Sequence, residues 1–156
     1  AEVQLVGRRK DAISSGFKLL ADYIFGNNIS RENVNTTATI QRPASEKIAM
    51  TAPVQQQLAN NSWLVSFVMP SEYNLEDLPK PKNIEVKLKN VPVKRFVTIQ
   101  FSGTSSDENL AKHKKLLVEF IETNSISVTG TPKYAFYNPP WTLPLMRRNE
   151  VMFEVQ

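Results

Sequence analysis

Polar and apolar residues alternate from Glu2 to Val6, with Val3 and Leu5 on one side, which is the period of a half-buried strand. From Ala12 the period changes. Ile13, Phe17, Leu20 and Ile24 recur at steps of four, three and four, predicting a helix over Ala12–Ile24 that Gly26-Asn27-Asn28 stops. Gly16 weakens that helix by roughly 1 kcal/mol relative to Ala, and close packing on a strand explains it better than room for a flat ligand. Asn35–Gln41 reads as a strand ended by Arg42-Pro43. Ile48–Leu58 reads as another, with Pro53 marking an edge or a bulge because it has no N–H for a ladder. Trp63–Met69 carries apolar residues on both faces and is predicted to be central. Pro70–Asn83 is a loop between two halves, and Ile84–Leu88 and Val93–Phe101 are further strands. Ser105-Ser-Asp-Glu108 has the spacing of a capping box, opening a helix over Asn109–Glu122 whose stripe is Leu110, Leu117 and Ile121. Tyr134–Tyr137 and Val151–Val155 are the last two strands.

The two halves resemble each other. Lys47-Ile-Ala-Met-Thr-Ala-Pro-Val54 returns as Lys133-Tyr-Ala-Phe-Tyr-Asn-Pro-Pro140, with Lys, Ala and Pro at the same places. Pro53 to Phe67 and Pro139 to Phe153 are both fourteen residues. An alternating segment, a Gly and a helical pattern precede each copy: Glu2–Gly7 before the first helix, Val97–Gly103 before the second. Two units are too few for a solenoid, so the expectation is one pseudo-symmetric domain of two β-α-β-β repeats.

Composition narrows the classes. With 156 residues, 41% hydrophobic and 22% charged, the chain has enough material for one core and no run long enough to span a membrane. The absence of Cys excludes disulfides and Cys-ligated metal sites. A net charge of +4 is spread over Arg8-Arg9-Lys10, Lys112/Lys114/Lys115 and Arg147-Arg148, which argues against a nucleic-acid partner. A soluble protein, cytoplasmic rather than periplasmic, is the expectation.

Catalytic chemistry has little to draw on. His113 is the only histidine and borders an apolar stripe, no phosphate-cradling glycine motif appears, and no carboxylate pair stands out. The conspicuous segment is Pro139-Pro-Trp-Thr-Leu-Pro-Leu-Met-Arg-Arg-Asn-Glu150. Trp141, Leu143, Leu145 and Met146 either fold back as a lid on the sheet, with the arginines pairing to Glu150, or wall an apolar pocket with Arg147 and Arg148 at its rim. The second arrangement suits a flat amphipathic acid, because apolar area drives binding and arginine holds carboxylates in bidentate fashion. Glu150 is the counter-charge for the alternative, a general pocket for amphipathic or cationic molecules.

Several strings resemble the SOUL/haem-binding protein family: Gly16-Phe-Lys-Leu-Leu-Ala-Asp-Tyr-Ile-Phe-Gly26, Lys47–Val54, Phe67-Val-Met-Pro70, Phe101-Ser-Gly103, Tyr137-Asn-Pro-Pro-Trp141 and Arg147-Arg-Asn-Glu-Val151. The resemblance implies an α+β fold, a twisted antiparallel β-barrel flanked by two α-helices, similar also to the effector-binding domains of multidrug-sensing regulators. It implies non-enzymatic binding of haem or another tetrapyrrole in an apolar cleft between the first helix and the loop before the last strand. Carried onto this sequence, the ligand-binding residues are Phe17, Leu20, Tyr23, Ile24, Met50, Trp141, Leu143, Leu145, Met146, Arg147 and Arg148. Some family members ligate haem iron through a histidine in the first half; this chain has none there, so axial His ligation is not expected.

Overall fold

A computed structural model describes residues 1–31 and 45–156. The predicted strand Asn35–Gln41 lies outside the described residues. In chain order the elements are β1 (Glu2–Leu5), α1 (Arg9–Ile24), β2 (Asn28–Ile29), β3 (Val54–Ala59), β4 (Ser62–Phe67), β5 (Lys80–Pro81), β6 (Phe96–Phe101), α2 (Asp107–Thr123), β7 (Val128–Phe136) and β8 (Asn149–Val155), with a 3-10 turn at Pro144–Met146. Among the described residues no helix is long and apolar enough to cross a membrane.

Six strands form an antiparallel sheet in the order β1-β4-β3-β7-β8-β6, and β2 pairs separately with β5. The hairpins β3–β4 and β7–β8 meet at the centre, and the opening strand of each half takes an outer edge. Among the described residues the sheet does not close between β1 and β6, so the closed barrel implied by the family resemblance is not what these strands form.

Strand alternation decides what each face does. One cross-sheet row reads Val3, Val65, Gln56, Tyr134, Val151, Ile99. Its first members pack with Leu20, Tyr23 and Ile24 of α1, and its last with Leu110, Leu117 and Ile121 of α2, giving two apolar clusters on the helix side. Gly16 lets α1 approach this closely: a Cβ there stands 2.7 Å from Cβ of Val65, so the close-packing expectation holds.

Between the two clusters the row is polar, and Arg9 fills the gap. Its guanidinium donates to Asp107 Oδ1 at 2.6 Å, to the Ser105 carbonyl at 2.6 Å and to Gln56 Oε1 at 3.4 Å. Gln56 in turn donates to the Arg9 carbonyl at 2.9 Å. The start of α1 is thereby tied to the start of α2 across the middle of the sheet. Such a link satisfies buried polar groups that otherwise cost about 1–3 kcal/mol each.

Three local expectations are corrected. The residues before Val54 are not strand, so β3 begins after Pro53 and the missing N–H falls outside the ladder. Ile84–Leu88 forms no strand beyond a single bridge from Lys87 to Glu2. There the Glu85 N–H donates to the Asn83 side chain, a local turn, while Val86 and Leu88 reach the first apolar cluster. β7 starts six residues earlier than predicted, at Val128, and accommodates Gly130 and Pro132 in an irregularity between Thr129 and Lys133.

Candidate functional site

The loop between β7 and β8 is built around its own carbonyls. At its neck, the Tyr137 N–H donates to the Arg148 carbonyl at 3.2 Å and the Arg148 N–H to Asn138 Oδ1 at 2.7 Å. Inside, the Thr142 N–H donates to the Pro139 carbonyl, the Met146 N–H to that of Leu143, and Arg147 Nε to that of Thr142 at 2.7 Å. Arg147 Nη2 donates to the Pro140 carbonyl as well. Two further bonds fasten the loop to the turn before α2. The Gly103 N–H donates to the Pro144 carbonyl at 2.8 Å, and Asn149 Nδ2 to the Gly103 carbonyl at 3.0 Å.

Part of the backbone is thereby pinned, yet the apolar side chains are not covered. Trp141 is 83% exposed and Leu145 75%, and Leu143 and Met146 are also mostly in water. The lid arrangement is not the one adopted. Four large apolar groups this exposed on one hydrogen-bonded loop are the mark of a contact surface rather than of scattered surface residues.

The two arginines that follow part ways. Arg148 forms an ion pair with Glu150, 2.6 Å from Nη2 to Oε1, and its guanidinium lies 4.2 Å from the Tyr137 ring centroid. The Tyr137 hydroxyl donates to the other Glu150 oxygen at 2.8 Å. Burial, then the Glu150 carboxylate, pushes the Tyr137 phenol up, while the Glu150 contact pushes Arg148 up. Arg147 has no carboxylate partner among the described residues. It instead faces a cleft of about 410 Å³ shared with Arg9, Lys10 and Ile13 of α1 and with Thr104, Ser105 and Ser106 ahead of α2.

The expected site residues thus fall into three groups. Trp141, Leu143, Leu145 and Met146 share one loop with Arg147, as expected. Leu20, Tyr23 and Ile24 are sealed in the core against Val3, Val65 and Ile48, where they shape α1 but offer a ligand no surface; that part of the expectation is corrected. Phe17 and Met50 are exposed, Phe17 standing edge-on to Phe67 at 5.5 Å between centroids, and the cleft does not reach either of them. On the α1 side, the cleft beside Arg147 is lined by Arg9, Lys10 and Ile13, one to two turns ahead of Phe17 and Leu20. The basic run Arg8-Arg9-Lys10 is the sequence signal for this, although in the sequence alone it counts only as part of the scattered charge.

His113, the lone histidine, is engaged elsewhere. Its ring stacks on Phe101 at 3.9 Å, and Nδ1 donates to the Asn109 carbonyl at 2.8 Å. Among the described residues no group of three or more His, Cys, Asp or Glu is placed to hold a metal ion.

Comparison with known proteins adds one finding. No curated protein matches the chain. A family model described as SOUL heme-binding protein matches residues 1–154, nearly the whole of the 156. Together with the two-helix α+β architecture, that coverage places the chain in the SOUL haem-binding protein family.

Proposed function

We propose that this protein binds haem or another tetrapyrrole without chemically changing it, in a surface cleft between the first turns of α1 and the loop ahead of β8. The observation that carries the reading is the exposure of Trp141, Leu143, Leu145 and Met146 on a loop held by several of its own backbone hydrogen bonds. Covering such side chains releases roughly 25 cal/mol per Å² of apolar area, and a preformed loop spends little of that on ordering itself.

The residues present fit the group's chemistry. A tetrapyrrole brings a flat apolar face and acidic side arms, and bound iron adds the capacity for redox chemistry. The apolar quartet, on the loop beside the cleft and outside its lining, supplies a surface for the face. Arg147, held by the Thr142 and Pro140 carbonyls and without a carboxylate partner among the described residues, supplies directed donors for an acidic arm, with Lys10 across the cleft as a second cation. With His113 turned to Phe101 and Asn109, binding rests on packing and charge rather than on axial His ligation.

This reading takes residues 1–156 as one binding domain of two equivalent β-α-β-β units. The mirrored strand order, with hairpins central and opening strands at the edges, supports that equivalence. The alternative, a cationic ligand on Glu150, fits less well. That carboxylate is 8% exposed and already satisfied by Arg148 and Tyr137.

Hemin titration followed at the Soret band tests the proposal. Wild type is expected to give a saturable shift at stoichiometric protein, and Leu143→Ser with Leu145→Ser to weaken it about tenfold or more, two exposed leucines contributing roughly 1 kcal/mol each when covered. A free-hemin spectrum throughout contradicts it.

A further inference from the structure

The face of the sheet turned away from the helices carries a second, larger cavity. A cross-sheet row there reads Gln4, Leu64, Gln57, Lys133, Met152, Thr98, and the neighbouring row holds Ser66 and Gln55. The cavity measures about 690 Å³, with the sheet as its floor and the segments 67–78 and 88–94 as its walls. That size is typical of sites for small organic ligands.

Three of its polar side chains, Lys133, Ser66 and Gln55, have no hydrogen-bond or ion-pair partner among the described residues. The Lys133 ammonium lies 5.2 Å from the centroid of the Phe96 ring and has no carboxylate within ion-pair distance among the described residues. Its neighbour Lys94 is already paired with Glu154 at 2.7 Å. The Ser66 hydroxyl and the Gln55 amide make no side-chain hydrogen bond among the described residues, and both line the cavity beside apolar Leu64 and Phe96. A half-buried ammonium with an aromatic face on one side and empty space on the other is a charge awaiting a partner.

We propose that this cavity binds a small monocarboxylic acid with an apolar body, its carboxylate taking Lys133 as counter-ion and its body lying against Leu64 and Phe96. A single negative charge is specified because Glu154 and Glu2 also reach the cavity, and they repel a phosphate or a polyacid. Burial, and then Lys94, push Lys133 below the usual lysine range against the weaker opposing pull of Glu154 and Glu2, and a carboxylate arriving here restores more of what desolvation removes. The site lies on the opposite face of the sheet from the tetrapyrrole cleft and does not depend on it.

Fluorescence titration with pyrenebutyrate and its uncharged counterpart pyrenebutanol separates charge from greasiness. On wild type the acid is expected to bind at least about tenfold more tightly than the alcohol, the contribution of one charge-assisted contact. That preference disappears in Lys133→Met, survives in Lys133→Arg, and is indifferent to Arg147→Ala. Gln55→Trp, which fills the cavity without altering charge, abolishes binding of both and serves if Lys133→Met fails to fold. Equal affinity for acid and alcohol, no binding of either, or acid binding that survives Gln55→Trp overturns the proposal. So does a preference lost with Arg147→Ala instead of Lys133→Met, because the acid then occupies the tetrapyrrole cleft.

Discussion

Gly16 and Tyr23 show how one side chain sets the position of α1. A methyl at residue 16 meets Cβ of Val65 at 2.7 Å and its Cγ2 at 2.8 Å, both on a strand buried in the sheet. Gly16→Ala is therefore expected to lower stability by about 1–3 kcal/mol despite the better helix propensity of Ala, and a cycle with Val65→Ala to show favourable coupling. An unchanged urea midpoint refutes the packing argument. Tyr23 is fully buried and donates to the Pro79 carbonyl at 2.9 Å. Burial pushes its phenol up to about 12, above the ordinary value near 10. The folded state thus holds this proton more tightly than the unfolded chain does. The stability this confers is whole below pH 10 and is lost as pH rises toward 12, up to about 2–3 kcal/mol. Relative to Tyr23→Phe, wild type should lose its advantage over that window; a constant difference in urea midpoint between pH 9 and pH 12 counts against it. Sequence made Gly16 legible because an interior helical glycine has few other uses. Tyr23 was not legible as core, since its spacing from Leu20 also suits a ligand-facing stripe.

At the scale of elements, the helix starts and the last loop carry the lesson. The pattern Ser105-x-x-Glu108 is a capping box on paper, yet the chain caps α2 one residue later. Ser106 is the N-cap, and its hydroxyl accepts from the Asn109 N–H at 3.3 Å. Ser105 is engaged otherwise, its carbonyl held by Arg9 from α1. A partner remote in sequence decided between two adjacent serines, which no local motif reveals. Ser106→Ala should cost about 1 kcal/mol and Ser105→Ala close to nothing, read from thermal unfolding. The reverse order supports the capping box. β7 shows the same limit: Gly130 and Pro132 look like breakers, but an irregularity against β8 absorbs both, and the strand begins at Val128. The β7–β8 loop was legible in composition, while the parting of Arg147 and Arg148 was not. It depends on Tyr137 and Glu150 gathering around Arg148 from the two strand ends, leaving Arg147 to its own loop carbonyls.

Across the whole molecule, most element types were readable from period and punctuation. Their pairing was not. Nothing in the strand sequences states that β3 meets β7 through Gln55 and Ala135, or that the buried Gln56 waits for Arg9. That central seam is polar, so hydrophobic periodicity is silent where the halves join. The same seam brings the starts of α1 and α2 beside Arg147, where Arg9, Lys10 and Ile13 line a cleft with it. It also leaves the sheet with two different faces, one packed by helices and one hollow.

The proposed docking of a tetrapyrrole on the exposed loop uses Arg147, and not Arg148, as its anchoring cation. Parallel hemin titrations of wild type, Arg147→Ala and Arg148→Ala, in a Trp63→Phe background so that Trp141 alone reports by fluorescence quenching, test it most directly. Saturable quenching is expected in wild type, with a loss of about tenfold in affinity for Arg147→Ala, the magnitude of one charge-assisted contact, and a smaller change for Arg148→Ala. Unquenched Trp141 fluorescence at saturating hemin, or equal affinity for wild type and Arg147→Ala, contradicts it.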